Sequence, residues 1–137
     1  MAEPTIRPIR EADVKQIHEI EKACFAMPWS EESILHDVKE NVVARWLVLD
    51  DGNGGVLAYA GMWFVLDEAH VCNVAVRPDC RGKGYGKALF RRLAAVAVER
   101  GCGRLEWWCL DWNRPSIDFY LSLGAEPMSA WTVYRIS

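Results

Sequence analysis

The sequence predicts a mixed α/β fold: a central sheet, mostly antiparallel, with one parallel crossover unit and helices on both faces. Three observations predict it. Short apolar runs rich in β-branched residues are joined by tight turns, which makes antiparallel hairpins. One such run leads through a glycine-rich loop and a helix into a further strand, and that succession implies a parallel crossover. The elements follow one another as β-α-α-β-β-β-α-β-α-β with no repeat, low-complexity tract or linker between them. At 137 residues, the expectation is a single domain over residues 1–137.

The first element, Thr5 to Pro8, is short and extended. Pro8 cannot donate to a ladder, which places it on a sheet edge. Residues 11–25 read as a helix, because Val14, Ile17, Ile20 and Cys24 recur at helical spacing with charges between them. Pro28-Trp29-Ser30 ends that segment. Ser30 then caps a second helix whose first turn carries Glu31 and Glu32, acids placed favourably at the positive end of the helix dipole.

Residues 46–49 and 56–66 are the next two strands. The segment between them, Asp50-Asp51-Gly52-Asn53-Gly54-Gly55, is a hairpin signal. Asp67-Glu68 makes another tight turn. Residues 70–76 follow as a strand whose Val71, Val74, Ala75 and Val76 suit burial on both faces. A helix over residues 84–100 presents Leu89, Leu93, Val96 and Ala97 as its apolar stripe, and Gly101 and Gly103 stop it. Residues 104–110 form a Trp-rich strand. Pro115 opens a short helix to residue 123, Gly124 ends it, and residues 130–136 are the last strand.

Composition excludes several function classes. The net charge is -3 and no long basic run occurs, which argues against nucleic acid as a ligand. The five cysteines form no Cys-x-x-Cys pair and have no histidines at zinc spacing, so no metal is expected and the thiols are read as reduced. No apolar run is long enough for a membrane span, and the first residues lack the apolar core of a signal peptide. The expected compartment is the cytoplasm, and the expected state is a monomer or a homodimer.

The chemistry concentrates in Arg81-Gly82-Lys83-Gly84-Tyr85-Gly86-Lys87. Glycines alternating at a helix start let backbone N–H groups converge on an anion, and the helix N-terminus adds positive potential. Arg81, Lys83 and Lys87 add charge. The segment therefore reads as a seat for a phosphate or diphosphate. It is not a P-loop, because no Ser or Thr follows Lys83 or Lys87. It is not a dinucleotide fingerprint either, because the spacing is Gly-x-Gly-x-Gly and the loop lies mid-chain.

Arg81-x-x-Gly84-x-Gly86 matches the Arg/Gln-x-x-Gly-x-Gly/Ala motif of the GNAT acetyltransferases. With Asn73-Val74-Ala75-Val76 before it and Asn113 and Tyr120 after it, the chain resembles that family over nearly its whole length. The resemblance implies an acetyl-CoA-dependent N-acetyltransferase. The backbone of Val74, Ala75 and Val76 would pair with the pantetheine arm. The amides of Gly82, Lys83, Gly84, Tyr85, Gly86 and Lys87, with Arg81, would hold the diphosphate. Asn113 would hydrogen-bond the pantetheine arm, and Tyr120 would protonate the leaving thiolate as general acid.

Two subfamilies are visible. Cys24-Phe25, Pro28-Trp29-Ser30 and Asp67-Glu68-Ala69-His70 resemble bacterial ribosomal-protein-alanine N-acetyltransferases. Trp108-Cys109-Leu110-Asp111-Trp112-Asn113-Arg114-Pro115-Ser116-Ile117, with Phe119-Tyr120 and Leu123-Gly124-Ala125, is similar to diamine and related small-amine acetyltransferases. In the first group a glutamate five residues before the Asn acts as base, and here that position is Trp108. Glu106, two residues earlier on the same side of the strand, is the candidate base, with Glu68 and His70 as alternatives. Trp29 has two readings: a staple at a helix start, or a wall of the acceptor site. The leading expectation is acetylation of a protein or peptide N-terminal amine. The second is acetylation of a small amine such as a polyamine. The third is a coenzyme-binding module without turnover.

Overall fold

The computed structural model describes residues 3–106 together with Gly124 and Ile136. By its contacts the chain divides into a unit of Met1–Trp107 and a unit of Trp108–Ser137, and the fold described is that of the first. The predicted helix over residues 115–123 and the last strand over residues 130–136 lie outside the described residues, apart from Ile136.

A sheet in the order β1-β2-β3-β4-β5 organises this unit. Strand β1 is Thr5–Pro8, β2 Ala44–Asp50, β3 Val56–Val65, β4 Glu68–Val76 and β5 Arg104–Glu106. Strands β1 to β4 are antiparallel neighbours, and β4 and β5 are parallel, pairing Glu68 with Arg104 and His70 with Glu106. The fold class is the one the sequence predicts, and β1 with its Pro8 is indeed an edge strand. Strand β4 begins two residues before the predicted start, because the turn after β3 is confined to Leu66 and Asp67.

Two helices cover one face and one the other. Helix α1 is Val14–Cys24, preceded by a short turn of 3-10 helix at Glu11–Asp13, and α2 is Glu31–Glu40. The predicted cap is present: the Ser30 hydroxyl accepts the Ser33 N–H at 3.1 Å. Val14, Ile17 and Ile20 of α1 and Ile34 of α2 pack on Ala44, Trp46, Val48, Val56, Tyr59 and Ala75 of the sheet. Helix α3, Tyr85–Glu99, lays Leu89, Leu93 and Ala97 on the opposite face against Leu47, Leu49, Leu57, Met62 and Phe64. Leu89 and Leu93 are fully buried, and each contributes about 1.5–3 kcal/mol through removal from water. Strand β2 therefore feeds alternate residues into two cores, as the period of two requires.

The β2–β3 hairpin is held by its own acids. Asp50 Oδ1 accepts the N–H groups of Gly52 and Gly54 at 2.7 and 3.0 Å, and Asp51 Oδ1 those of Asn53 and Gly55 at 2.7 and 3.0 Å. Arg7 joins this hairpin to the start of α1 by bonding Asp50 and Asp13, each at 2.8 Å. No described helix is long and apolar enough to cross a membrane.

Candidate active site

The site starts from an irregularity in β4. Gly61 of β3 pairs with Asn73, but the next residue, Met62, pairs with Val71. Cys72 is therefore the extra residue of a β-bulge, and the strand bends there. The bulge places consecutive side chains on one face. Cys72 packs in the core under α1 and α2, and Asn73 also points to α1, where its amide donates to Glu21. Val74, Ala75 and Val76 follow at once and end the strand.

Gly61 gives the bulge its space. A Cβ there would lie 2.7 Å from the Trp46 ring, so no larger residue fits opposite Asn73 without moving that indole. Trp46 in turn stacks on Tyr59, with ring centroids 6.1 Å apart, and meets Trp29 edge-on at 5.7 Å. Trp29 also lies 6.4 Å from Trp63. Asp37 of α2 anchors this cluster, accepting the indole N–H of Trp46 at 2.6 Å and of Trp63 at 3.0 Å.

Beyond Val76 the chain turns through Pro78–Cys80 and the glycine loop into α3. Gly82 and Gly84 have φ of 81° and 80°, a left-handed backbone that suits glycine. No side chain caps the helix at Gly84, and the intrahelical ladder begins with Ala88 N–H donating to the Gly84 carbonyl at 3.1 Å. The amides of Tyr85, Gly86 and Lys87 thus face forward without intrahelical partners, in the positive end of a helix dipole. Residues 81–84 are exposed and residues 85–87 half-buried.

The cations divide into two kinds. Arg77 is used within the turn, donating to Asp79 at 2.7 Å; that bond raises the guanidinium pKa and lowers the carboxyl's. Arg81 donates to the Cys24 thiol at the end of α1 at 3.2 Å. Lys83 and Lys87 form no ion pair with another described residue. The structure brings Val74, Ala75, Val76, Arg81, Gly82, Lys83, Gly84, Tyr85, Gly86 and Lys87 into one continuous strand end, loop and helix start.

Glu106 falls elsewhere. It lies opposite His70, four residues and about 13 Å of strand before Val74. Arg104 bonds Glu106 at 3.0 Å and Glu68 at 3.4 Å, and His70 lies 3.9 Å from Glu68. The donor atoms of Glu68, His70 and Glu106 all sit within 4.8 Å of one another, so the three candidates for the base form one half-buried cluster. Asn113, Tyr120, Trp108 and the other Trp residues of the back half lie outside the described residues.

One polar residue of the site escapes the sequence reading. Glu21, 1% exposed, accepts hydrogen bonds from the Tyr59 hydroxyl, the Asn73 amide and, at 3.1 Å, the backbone N–H of Trp29. Burial, and then the bond to Glu21, push the Tyr59 hydroxyl pKa well above its ordinary value. Burial, with Asp37 nearby, pushes the Cys72 thiol up to about 12, so it stays protonated at neutral pH. The signal for Glu21 was present: it stands four residues after Ile17 and seven after Val14, on the apolar stripe of α1.

A bulged strand runs into a glycine loop and an uncapped helix start, an arrangement that offers backbone amides to an anion. The comparisons are more specific: residues 14–125 match the model of the acetyltransferase (GNAT) family, and the chain belongs to that family. It is an N-acetyltransferase. The chain is 33% identical over 120 residues to the [ribosomal protein bS18]-alanine N-acetyltransferase of Escherichia coli (strain K12), covering 88% of this chain and 79% of that protein. The crystal structure of the Escherichia coli ribosomal-protein-S18-alanine N-acetyltransferase superposes with a TM-score of 0.79 at 33% identity, over 88% of this chain and 76% of that one. The thialysine N-epsilon-acetyltransferase of Sus scrofa is 26% identical over 98% of this chain and 93% of its own length. A PaiA N-acetyltransferase of Thermoplasma acidophilum, solved in complex with coenzyme A, shares the fold with a TM-score of 0.77 at 14% identity, over 87% of each chain.

Proposed function

We propose that this chain takes acetyl-CoA as cosubstrate and transfers its acetyl group to the α-amine at a protein or peptide N-terminus. The observation that carries the coenzyme is the run of forward-facing amides at the start of α3, directly after the bulged end of β4. The likeness to the Escherichia coli bS18-alanine enzyme supports the acceptor.

In this reading the backbone of Val74, Ala75 and Val76 pairs with the pantetheine arm as an added strand. The amides of residues 82–87, with Arg81, Lys83 and Lys87, bind the diphosphate. Asn113 hydrogen-bonds the pantetheine arm. The ammonium of the acceptor gives up a proton, and the neutral amine attacks the thioester carbonyl carbon. A strand amide near Val74 stabilises the oxyanion of the tetrahedral intermediate. The C–S bond then breaks, and Tyr120 gives its hydroxyl proton to the coenzyme thiolate. Glu106 receives the ammonium proton through water, with Glu68 and His70 of the same cluster as the alternative acceptors. All 137 residues act as one domain, as a monomer or homodimer. The proposed compartment is the cytoplasm.

The test is mass spectrometry after incubation with acetyl-CoA and a panel of N-terminal peptides. A mass gain on the α-amine is expected, and a panel without any acetylated peptide contradicts the reading. A second reading, a small-amine acceptor, is favoured by the likeness to the thialysine enzyme and by Trp108 standing where the first subfamily has its glutamate. Thiol release with polyamines and amino compounds tests it, and rates no higher than without acceptor remove it.

A further inference from the structure

The buried carboxylate of Glu21 takes no part in the scheme above, yet it bonds both the α1–α2 turn and the residue next to Val74. Oε2 accepts the backbone N–H of Trp29, in the turn between α1 and α2. Oε1 accepts the side-chain amide of Asn73, the residue between the bulged Cys72 and Val74. The same oxygen takes the Tyr59 hydroxyl, which fixes the carboxylate from below. All three partners are donors, which matches a group with only acceptor sites. A glutamate on an apolar helix stripe has a desolvation cost that leucine or methionine would avoid. Three bonds to three separate segments offset that cost and make the group a junction.

We infer that Glu21 is a positioning residue: through Asn73 and the Trp29 amide it sets the α1–α2 turn against the bulge of β4, and so, with Trp29 as a wall of the acceptor site, fixes that wall relative to the thioester. The inference rests on the proposed coenzyme position along residues 74–76. Its consequence is specific to turnover. The diphosphate seat is on α3 and has no bond to Glu21, so breaking the junction leaves coenzyme binding intact while the reacting atoms lose alignment. Misplacement by about 1 Å is enough to lower a rate about 100-fold.

The test uses the full chain. Asn73→Ala removes one arm of the junction at a half-buried position, and Glu21→Gln keeps the shape but puts a donor where one of the three donors now points. Each variant is expected to lower kcat about tenfold or more, with KM for acetyl-CoA within about threefold. The double variant is expected to be no worse than the worse single one, because both break the same link. The activity-free readout is the Trp29 backbone amide resonance, which is expected to move in Asn73→Ala because Glu21 lies between the two. An Asn73→Ala protein with native circular dichroism, kcat within twofold of the parent and an unmoved Trp29 amide overturns the inference, as does an additive double variant. If the parent chain acetylates none of the acceptors, the proposed function fails, and the Trp29 resonance in Asn73→Ala still decides whether the junction exists.

Discussion

The guanidinium of Arg81 donates to the thiol of Cys24 at 3.2 Å, and so ties the loop before α3 to the last residue of α1. The same thiol donates to the carbonyl of Val76 at 3.6 Å, so one cysteine spans the loop cation and the end of β4. Among the described residues Arg81 has no carboxylate partner, so no ion pair has to break for it to meet an anion. Arg81→Ala should weaken CoA binding about tenfold, the size of one charged hydrogen bond, as read by calorimetry. Cys24→Ala should change that affinity by no more than about threefold, because the guanidinium keeps its charge and reach.

Asp37 gives a stability prediction. Its carboxylate serves two indole N–H groups, those of Trp46 and Trp63, as well as the Asn41 amide at 2.8 Å. Asp37→Ala leaves the buried Trp46 N–H without this acceptor. A buried unsatisfied donor costs about 1–3 kcal/mol, so urea unfolding should show a loss of about 2 kcal/mol or more. Asp37→Asn, which keeps one acceptor oxygen, should lose less.

Acid should release the β1 edge. The bond to Arg7, then those from the N–H groups of Gly52 and Gly54, lower the Asp50 pKa to about 2. Asp13 is also lowered: burial opposes ionisation there, and the bonds from Arg7 and the Arg10 N–H outweigh it. A carboxyl depressed on folding adds stability above its unfolded value, and loses it as pH falls toward the folded one. Stability should therefore drop between about pH 4 and pH 2, and Asp50→Asn should flatten part of that drop. Urea midpoints across this range provide the check.

Two glycines should respond differently to alanine. At Gly84 a Cβ meets open space, so Gly84→Ala carries only the left-handed backbone penalty, about 1–2 kcal/mol. At Gly61 the same methyl meets the Trp46 ring at 2.7 Å, and overpacking of a buried site costs about 1–3 kcal/mol. Gly84→Ala should lower CoA affinity beyond its effect on the melting temperature. Gly61→Ala should lower the melting temperature and shift Trp fluorescence, because the ring that must move is Trp46.

Much of this site was legible along the chain. The apolar run of residues 46–49, the Asp50 to Gly55 turn, the Ser30 cap and the alternating glycines are local signals, and each element they predict is present. The bulge at Cys72 was not legible, because it is a matter of register between β3 and β4 that no single run of residues carries. Glu106 reads as a strand carboxylate near the coenzyme. Only the pairing of β5 with β4 shows it beside His70 and Arg104, at the far end of the strand from Val76. Asp37 looks like a charge on an amphipathic helix and Glu21 interrupts the apolar stripe of α1, but their partners Trp46, Trp63, Tyr59 and Asn73 come from distant strands.

Tyr120→Phe separates catalysis from binding. In the proposed scheme it removes the proton donor to the thiolate and leaves the diphosphate seat untouched. CoA affinity should stay within about twofold, while kcat falls about 100-fold or more. Equal rates for variant and parent would remove Tyr120 as the acid.

The amides and cations of residues 81–87 are proposed to hold the diphosphate, and calorimetry with two ligands tests that most directly. Titration of the folded chain at moderate salt with CoA and with pantetheine, which lacks the diphosphate, should give clear binding of CoA and binding of pantetheine weaker by about 100-fold or more. No heat with CoA, or equal affinity for both ligands, would contradict it.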